Sequence, residues 1–133
     1  VKGKLNIGPM KEAWFSFQGN HDVSAFADLE PGEDPRVQIR ACELETDGCL
    51  ILLRITADHF LRRQVRRMVG AAVLCGLGRE KAGRIPLDLQ NPTEDANLYW
   101  AAKAAPAAGL FLEAVRYSGD GPLPAPRAVT RVE

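Results

Sequence analysis

The spacing of apolar residues predicts a helix near the start of the chain, where Pro9 suits the first turn and Gly19 suits the end. The residues that recur at helical spacing are Met10, Ala13, Trp14 and Phe17. A hairpin is predicted next, with Asp47-Gly48 as the turn between an alternating strand and the continuous apolar run 50–55. An Asp-Gly pair between two such runs is the strongest short signal for a hairpin.

A long helix is predicted from about His59 to Cys75, with Asp58 as its N-cap and Gly76 after its end. On a helical wheel, one side carries the apolar residues Leu61, Val65, Met68, Val69 and Ala72. The other side carries Gly70 and four arginines: Arg62, Arg63, Arg66 and Arg67. We expect the apolar side to pack on a sheet and the arginine side to face water or an anionic partner. Gly70 would let another group approach the backbone closely.

The rest of the chain is predicted to contain a further helix and a further strand. Residues 79–92 are predicted to form a loop or a short broken element, and Thr93 to cap a helix that ends near Ala102. Residues 109–117, GLFLEAVRY, alternate and predict a strand. The order predicts an α+β fold in which helices pack on one face of an antiparallel sheet. We expect one domain over residues 1–118, followed by a proline-rich, mobile tail over residues 119–133.

Charge is balanced overall but unevenly placed. The 17 basic and 17 acidic residues cancel, which argues against a generally basic coat protein for nucleic acid. The stretch 54–79, however, holds six bases and a single acid. Because no acid lies between Asp58 and Glu80, an anionic partner is plausible, and RNA phosphate and a buried carboxylate are both candidates. A solvated helix face is the plain alternative.

Other kinds of site find little support. His21, Asp22 and Ser24 lie side by side, whereas the members of a hydrolytic triad come from distant segments, so a local cap or turn is favoured. The cysteines and histidines lack zinc-binding spacing, and the three unclustered cysteines are typical of reduced thiols in an intracellular protein. The chain shows no phosphate loop, dinucleotide fingerprint, signal peptide or apolar stretch of membrane-spanning length.

Three stretches carry a family resemblance: GNHDVSAF at 19–26, ADHFLRRQVRRMVGAAVLCGLGR at 57–79 and AAPAAGLFLEAVRY at 104–117. In their order and approximate spacing they resemble the signature stretches in the C-terminal half of TruA-type tRNA pseudouridine synthases. The resemblance covers residues 10–117. Its most specific part is the middle stretch, a phenylalanine followed by V-R-x-(I/M)-V-G.

The resemblance implies an enzyme that isomerises uridine to pseudouridine in tRNA, by flipping the base and using one aspartate without a cofactor. The family carries that aspartate in an R-T-D-A-G-type motif of its N-terminal half, and this chain has no such motif. The chain does not begin with methionine, and we expect it to be part of a longer protein. The implied partners are tRNA and the N-terminal catalytic half, with no membrane and with a homodimer left open. The implied compartment is the cytoplasm, or an organelle.

The resemblance also assigns individual residues. Arg66 matches the arginine that pairs with the catalytic aspartate, Phe60 a position beside the cleft, and Leu110 the apolar residue near the target uracil. Neighbouring arginines are expected to bind RNA phosphate: Arg62, Arg63 and Arg67. Arg67 departs from the family pattern, in which asparagine is usual. We therefore keep a second hypothesis, a non-catalytic RNA-binding or assembly module with the same fold.

Overall fold

A computed structural model describes residues 5–48 and 50–105 of the chain. The helices are α1 Ile7–Phe15, α2 Gln64–Gly76, α3 Arg84–Gln90 and α4 Glu94–Ala102, with a short 3₁₀ helix at Ser24–Phe26. The strands are β1 Gly19–Asp22, β2 Arg36–Asp47 and β3 Leu50–Ala57. Helices around an antiparallel sheet confirm the predicted α+β class. The strand predicted at 109–117 and the tail predicted at 119–133 lie outside the described residues.

Within the described ranges, the strands form one antiparallel sheet in the order β1-β2-β3. The predicted hairpin is confirmed, since β2 pairs with β3 and Asp47 lies opposite Leu50. The register shifts between Ile39 and Ala41, so β2 bulges at Arg40. The pattern did not predict β1, because its four residues, GNHD, contain no apolar alternation.

The core lies between the sheet and the helices and is built around aromatic rings. Phe17 meets Phe26 edge to face at 5.0 Å between ring centroids, and Phe26 stacks on Trp100 at 5.1 Å. All three rings are fully buried. The indole nitrogen of Trp14 in α1 donates to the carbonyl of Arg54 in β3 at 3.1 Å. These contacts join elements from both halves of the described chain into one core.

The start of α2 differs from the prediction. The helix begins at Gln64 rather than near His59, and Asp58 is not its N-cap, because Asp58 Oδ1 accepts from Arg40 Nε at 2.6 Å. The chain turns at Arg63, which adopts a left-handed φ of 62°. Gln64, fully buried, closes this turn by accepting from the Leu61 amide at 2.9 Å.

Of the last two helices, α4 was predicted and α3 was not predicted as a regular helix. Helix α4 is confirmed, with Thr93 Oγ1 accepting from the Ala96 amide at 3.0 Å. The segment 79–92 contains a regular helix, α3, where only a loop or a short broken element was predicted. Pro86 is compatible with this helix because it lies in the first turn, where an amide is not required. Among the described residues, none of the helices combines the length and the hydrophobicity that a membrane-spanning segment needs.

Candidate functional site

The arginine segment, residues 60–70, places its arginines in different surroundings. Arg62 and Arg63 precede α2, so the helical wheel that placed them on one helix face with the other two is wrong. Arg62 is exposed and Arg66 is half-buried. The side chain of Arg67 is only 4% exposed, which contradicts the expected solvent-facing arginine side at that position. A run of like charges in sequence is therefore not a single charged surface in the fold.

Arg66 lies in the first turn of α2 and is fixed to the segment that follows α4. Arg66 Nε donates to the carbonyl oxygen of Ala105 at 2.9 Å, and the Ala105 amide donates to the carbonyl oxygen of Arg66 at 2.9 Å. Across residues 5–48 and 50–105, Nη1 and Nη2 of Arg66 have no hydrogen bond or ion pair. Among the described residues, the Arg66 guanidinium is therefore bound only through Nε. Its Nη1 and Nη2 are available to bind the two oxygens of a carboxylate.

Gly70, one turn further along α2, faces the same segment. A Cβ at this position would overlap the carbonyl oxygen of Lys103 and would lie 2.9 Å from its carbonyl carbon and 3.0 Å from the Ala105 nitrogen. A Cβ atom does not come that close to backbone atoms, so only glycine fits at this position. The prediction that Gly70 admits a close approach is confirmed, and the approaching group is the backbone of residues 103–105.

Asp28, which the sequence analysis did not single out, is bound by two of the arginines. Its Oδ2 accepts from Arg63 Nη1 and its Oδ1 from Arg67 Nη2, while its amide donates to the carbonyl of Arg62 at 3.0 Å. The hydrogen bond from Arg63 is the largest influence and lowers the pKa of Asp28; burial, the next largest, raises it, and the charge of Arg67 and its hydrogen bond lower it again, so that the net pKa lies below its ordinary value. Asp28 is therefore a carboxylate at neutral pH.

The signal that could have indicated Asp28 is the charge distribution. Asp28 begins an acidic loop, and the arginine segment is the most basic part of the chain, so opposite charges could have been expected to meet. Which acid would pair with which arginine depends on how the chain folds back. Arg67 Nε and Nη1 remain buried without a hydrogen-bond partner among the described residues.

Of the two residues predicted to bind the substrate, only Phe60 lies in the described part of the chain. Phe60 is half-buried and packs against the hydrophobic core at the start of the arginine segment. Leu110 lies outside the described residues. The structure thus brings Arg63 and Arg67 together on Asp28 and places Arg66 on a different partner, Ala105. The assignments of these residues to RNA and substrate stay predictions.

Neither a metal-binding cluster nor a reactive cysteine is found among the described residues. No three His, Cys, Asp or Glu side chains in the described part of the chain are arranged to hold a metal ion. Burial raises the pKa of Cys42 to about 12 and that of Cys75 to about 11, so neither thiol is a nucleophile at neutral pH. A shallow pocket of about 540 Å³ is lined by residues of 15–42 and by no residue of the arginine segment.

Comparison with known proteins gives consistent matches. A family model described as tRNA pseudouridine synthase matches residues 13–118. The chain is 39% identical over 118 residues to tRNA pseudouridine synthase A of Pseudothermotoga lettingae, covering 86% of this chain and 46% of the relative. It is 35% identical over 122 residues to the proteins of that name from Beijerinckia indica and Thermococcus kodakarensis, covering 91% of this chain and 45% and 43% of the relatives. The chain spans a little under half the length of these curated relatives.

Proposed function

This chain belongs to the tRNA pseudouridine synthase family, and from that premise we propose that it supplies one half of an active site that converts uridine in tRNA to pseudouridine. The other half, with the catalytic aspartate, lies outside this chain, because the chain contains no R-T-D-A-G-type motif. The reaction needs no cofactor, and the full-length protein works in the cytoplasm or an organelle, where tRNA is modified.

The observation that carries this proposal is the state of Arg66. Its Nε is fixed by Ala105, and its other two guanidinium nitrogens have no partner among residues 5–48 and 50–105. A half-buried guanidinium with an open edge suits a carboxylate from another part of the protein. Such a pair keeps the carboxylate ionised and fixes its orientation, and a catalytic aspartate requires both.

The remaining assignments follow the same division of roles. Phe60 and Leu110 contact the flipped uracil. Arg62, which is exposed, and Arg63, which is about half-exposed, bind RNA phosphate. For Arg67 the burial and the bond to Asp28 support an indirect part in RNA binding, in which it holds the carboxylate that also orients Arg63. An assembly of two copies is compatible with these roles and is not required by them.

The experiment compares this 133-residue chain with the full-length protein, meaning the chain joined to its catalytic half, on a tRNA transcript without added cofactor. Release of tritium from carbon 5 of labelled uridine reports the reaction. We expect turnover by the full-length protein and none by the chain alone. Turnover by the chain alone would overturn the division of the active site.

A second outcome would favour the non-catalytic module. If the full-length protein binds tRNA but releases no tritium from any uridine, the fold has kept RNA binding and lost the chemistry. The control is the full-length protein with its motif aspartate changed to asparagine, which should bind tRNA and be inactive. Equal behaviour of this variant and the unchanged protein would support the module over the enzyme.

A further inference from the structure

We propose that Gly70 is a positioning residue for Arg66, acting through the backbone of residues 103–105. The inference rests on the proposed function, because it assigns Gly70 a part in orienting the arginine that meets the catalytic aspartate. Gly70 does not touch the substrate or the aspartate in this scheme. It sets how closely α2 and the segment after α4 approach each other, and that distance decides whether Arg66 is held.

Gly70 and Arg66 are linked where α2 packs against the backbone of residues 103–105, a contact that we call the junction. In an α-helix, the carbonyl of residue 66 accepts from the amide of residue 70. The same Arg66 carbonyl also accepts from the Ala105 amide at 2.9 Å, which is possible only because the segment lies against the helix at Gly70. The carbonyl of Ala105 then lies within 2.9 Å of Arg66 Nε. Both hydrogen bonds of the junction thus depend on the absence of a Cβ at Gly70.

A side chain at position 70 would separate these groups. Its Cβ would overlap the carbonyl oxygen of Lys103, which belongs to the backbone and cannot rotate away as the end of a side chain can. The segment would have to move outward, and the Ala105 carbonyl would leave Arg66 Nε. Across residues 5–48 and 50–105, that carbonyl is the sole hydrogen-bond partner of the Arg66 side chain. Without it the guanidinium can populate other rotamers.

This loss would affect the reaction more than tRNA binding. A small displacement of a catalytic group costs on the order of 10²-fold in rate, because the reactive geometry is then rarely occupied. The tRNA contacts assigned to Arg62 and Arg63 lie before α2 and do not involve the junction. A role confined to packing would instead lower stability and leave turnover of the folded protein unchanged.

The test is Gly70→Ala in the full-length protein, with Gly76→Ala as the matched control. Gly76 lies in the same helix, and a Cβ there would meet Leu5 Cδ2 at 3.0 Å and Met10 Cβ at 3.2 Å, away from Arg66. Assays are made below the melting temperatures of both variants. We expect kcat to fall on the order of 10²-fold for Gly70→Ala with unchanged tRNA affinity, and to stay near its original value for Gly76→Ala.

The second measurement asks whether Gly70 acts through Arg66. In an Arg66→Ala background, followed by long single-turnover incubations, Gly70→Ala should cause no further loss of rate. An equal fractional loss in both backgrounds would overturn the inference. If Gly70→Ala does not fold, Ala105→Pro removes the amide that donates to Arg66, and the same two comparisons apply.

The outcomes separate this inference from the function on which it rests. If Arg66→Ala keeps the original rate, the assigned role of Arg66 fails, and the role of Gly70 fails with it. If Arg66→Ala loses its rate while Gly70→Ala and Ala105→Pro both keep theirs, the proposed function stands and the positioning role of Gly70 is refuted.

Discussion

The carboxylate of Asp28 binds the guanidinium of Arg67 across 39 residues of sequence and keeps that arginine out of solvent. Arg67 is adjacent to Arg66 in sequence, yet the two side chains have different partners and, in the proposed function, different roles. Asp28 leaves Nε and Nη1 of Arg67 without a partner among the described residues, so the pair is incompletely satisfied. The arginine segment therefore combines a structural ion pair with an arginine that is open to a further carboxylate.

Arg66→Lys in the full-length protein should sharply lower turnover with near-normal tRNA affinity. Lysine keeps the positive charge but loses the planar fork that binds a carboxylate through two nitrogens. We expect a fall in kcat on the order of 10²-fold, measured by tritium release, and a tRNA dissociation constant within about twofold of the original. An unchanged kcat would show that Arg66 does not orient the catalytic carboxylate.

Replacing both Arg62 and Arg63 by glutamine should weaken tRNA binding and reduce its salt dependence. Each lost phosphate contact should lower the slope of log affinity against log salt by roughly 0.7 to 0.9. Arg63 is already paired with Asp28, so most of the change in the salt dependence should come from Arg62. The measurement is tRNA affinity at several salt concentrations, with Arg79→Gln, an exposed site after α2, as control. Parallel slopes for all proteins would make these arginines a solvated surface.

Asp28→Asn should remove a pH-dependent part of the stability. The pKa of Asp28 is lowered in the folded state, so its contribution is complete above its ordinary value of 3.8 and is lost as pH falls through the lower folded value. We expect the variant to be less stable by on the order of 1 kcal/mol at neutral pH, a value reduced by the partial exposure of Asp28.

Urea unfolding at several pH values measures this contribution. The difference between the two proteins should be constant above about pH 5 and should shrink below the ordinary value of 3.8. Glu30→Gln, in the same loop and exposed, is the control for introducing an amide. A difference that stays constant down to about pH 2 would contradict the ion pair.

Cys42 and Cys75 should resist alkylation in the native protein at neutral pH. Their side chains are at most 4% exposed, and burial raises their pKa values to about 12 and about 11, so the reactive thiolate is scarce. Iodoacetamide labelling followed by peptide mapping measures each cysteine separately, with the urea-unfolded protein as the reference. Native labelling as fast as in urea would show that these thiols are not buried.

The sequence predicted those elements whose signals are local. The Asp47-Gly48 turn determines the hairpin, and Thr93 caps α4 through its own hydroxyl, so both were predicted correctly. The predicted start of α2 was wrong because Asp58 is bound by Arg40 of β2 and is not available as a cap. An N-cap that pairs across the fold cannot be recognised from neighbouring residues.

The candidate site shows the same limit. Arg66 and Gly70 were found from the pattern and from the family resemblance, and the structure gives both a contact with residues 103–105. The burial of Arg67 was missed because a helical wheel describes an isolated helix. It cannot indicate that Asp28, in the loop before β2, folds over one part of the arginine segment.

The position of β3 at one end of the described sheet has a practical consequence for producing the protein. Among the described residues, β3 pairs with β2 on one side and with no strand on the other. Its residues are mostly apolar, and an edge of this kind can recruit a strand from another molecule. Wherever this edge is left uncovered, the protein should therefore be prone to aggregation during expression. A charged residue introduced along that edge would be the first remedy to test.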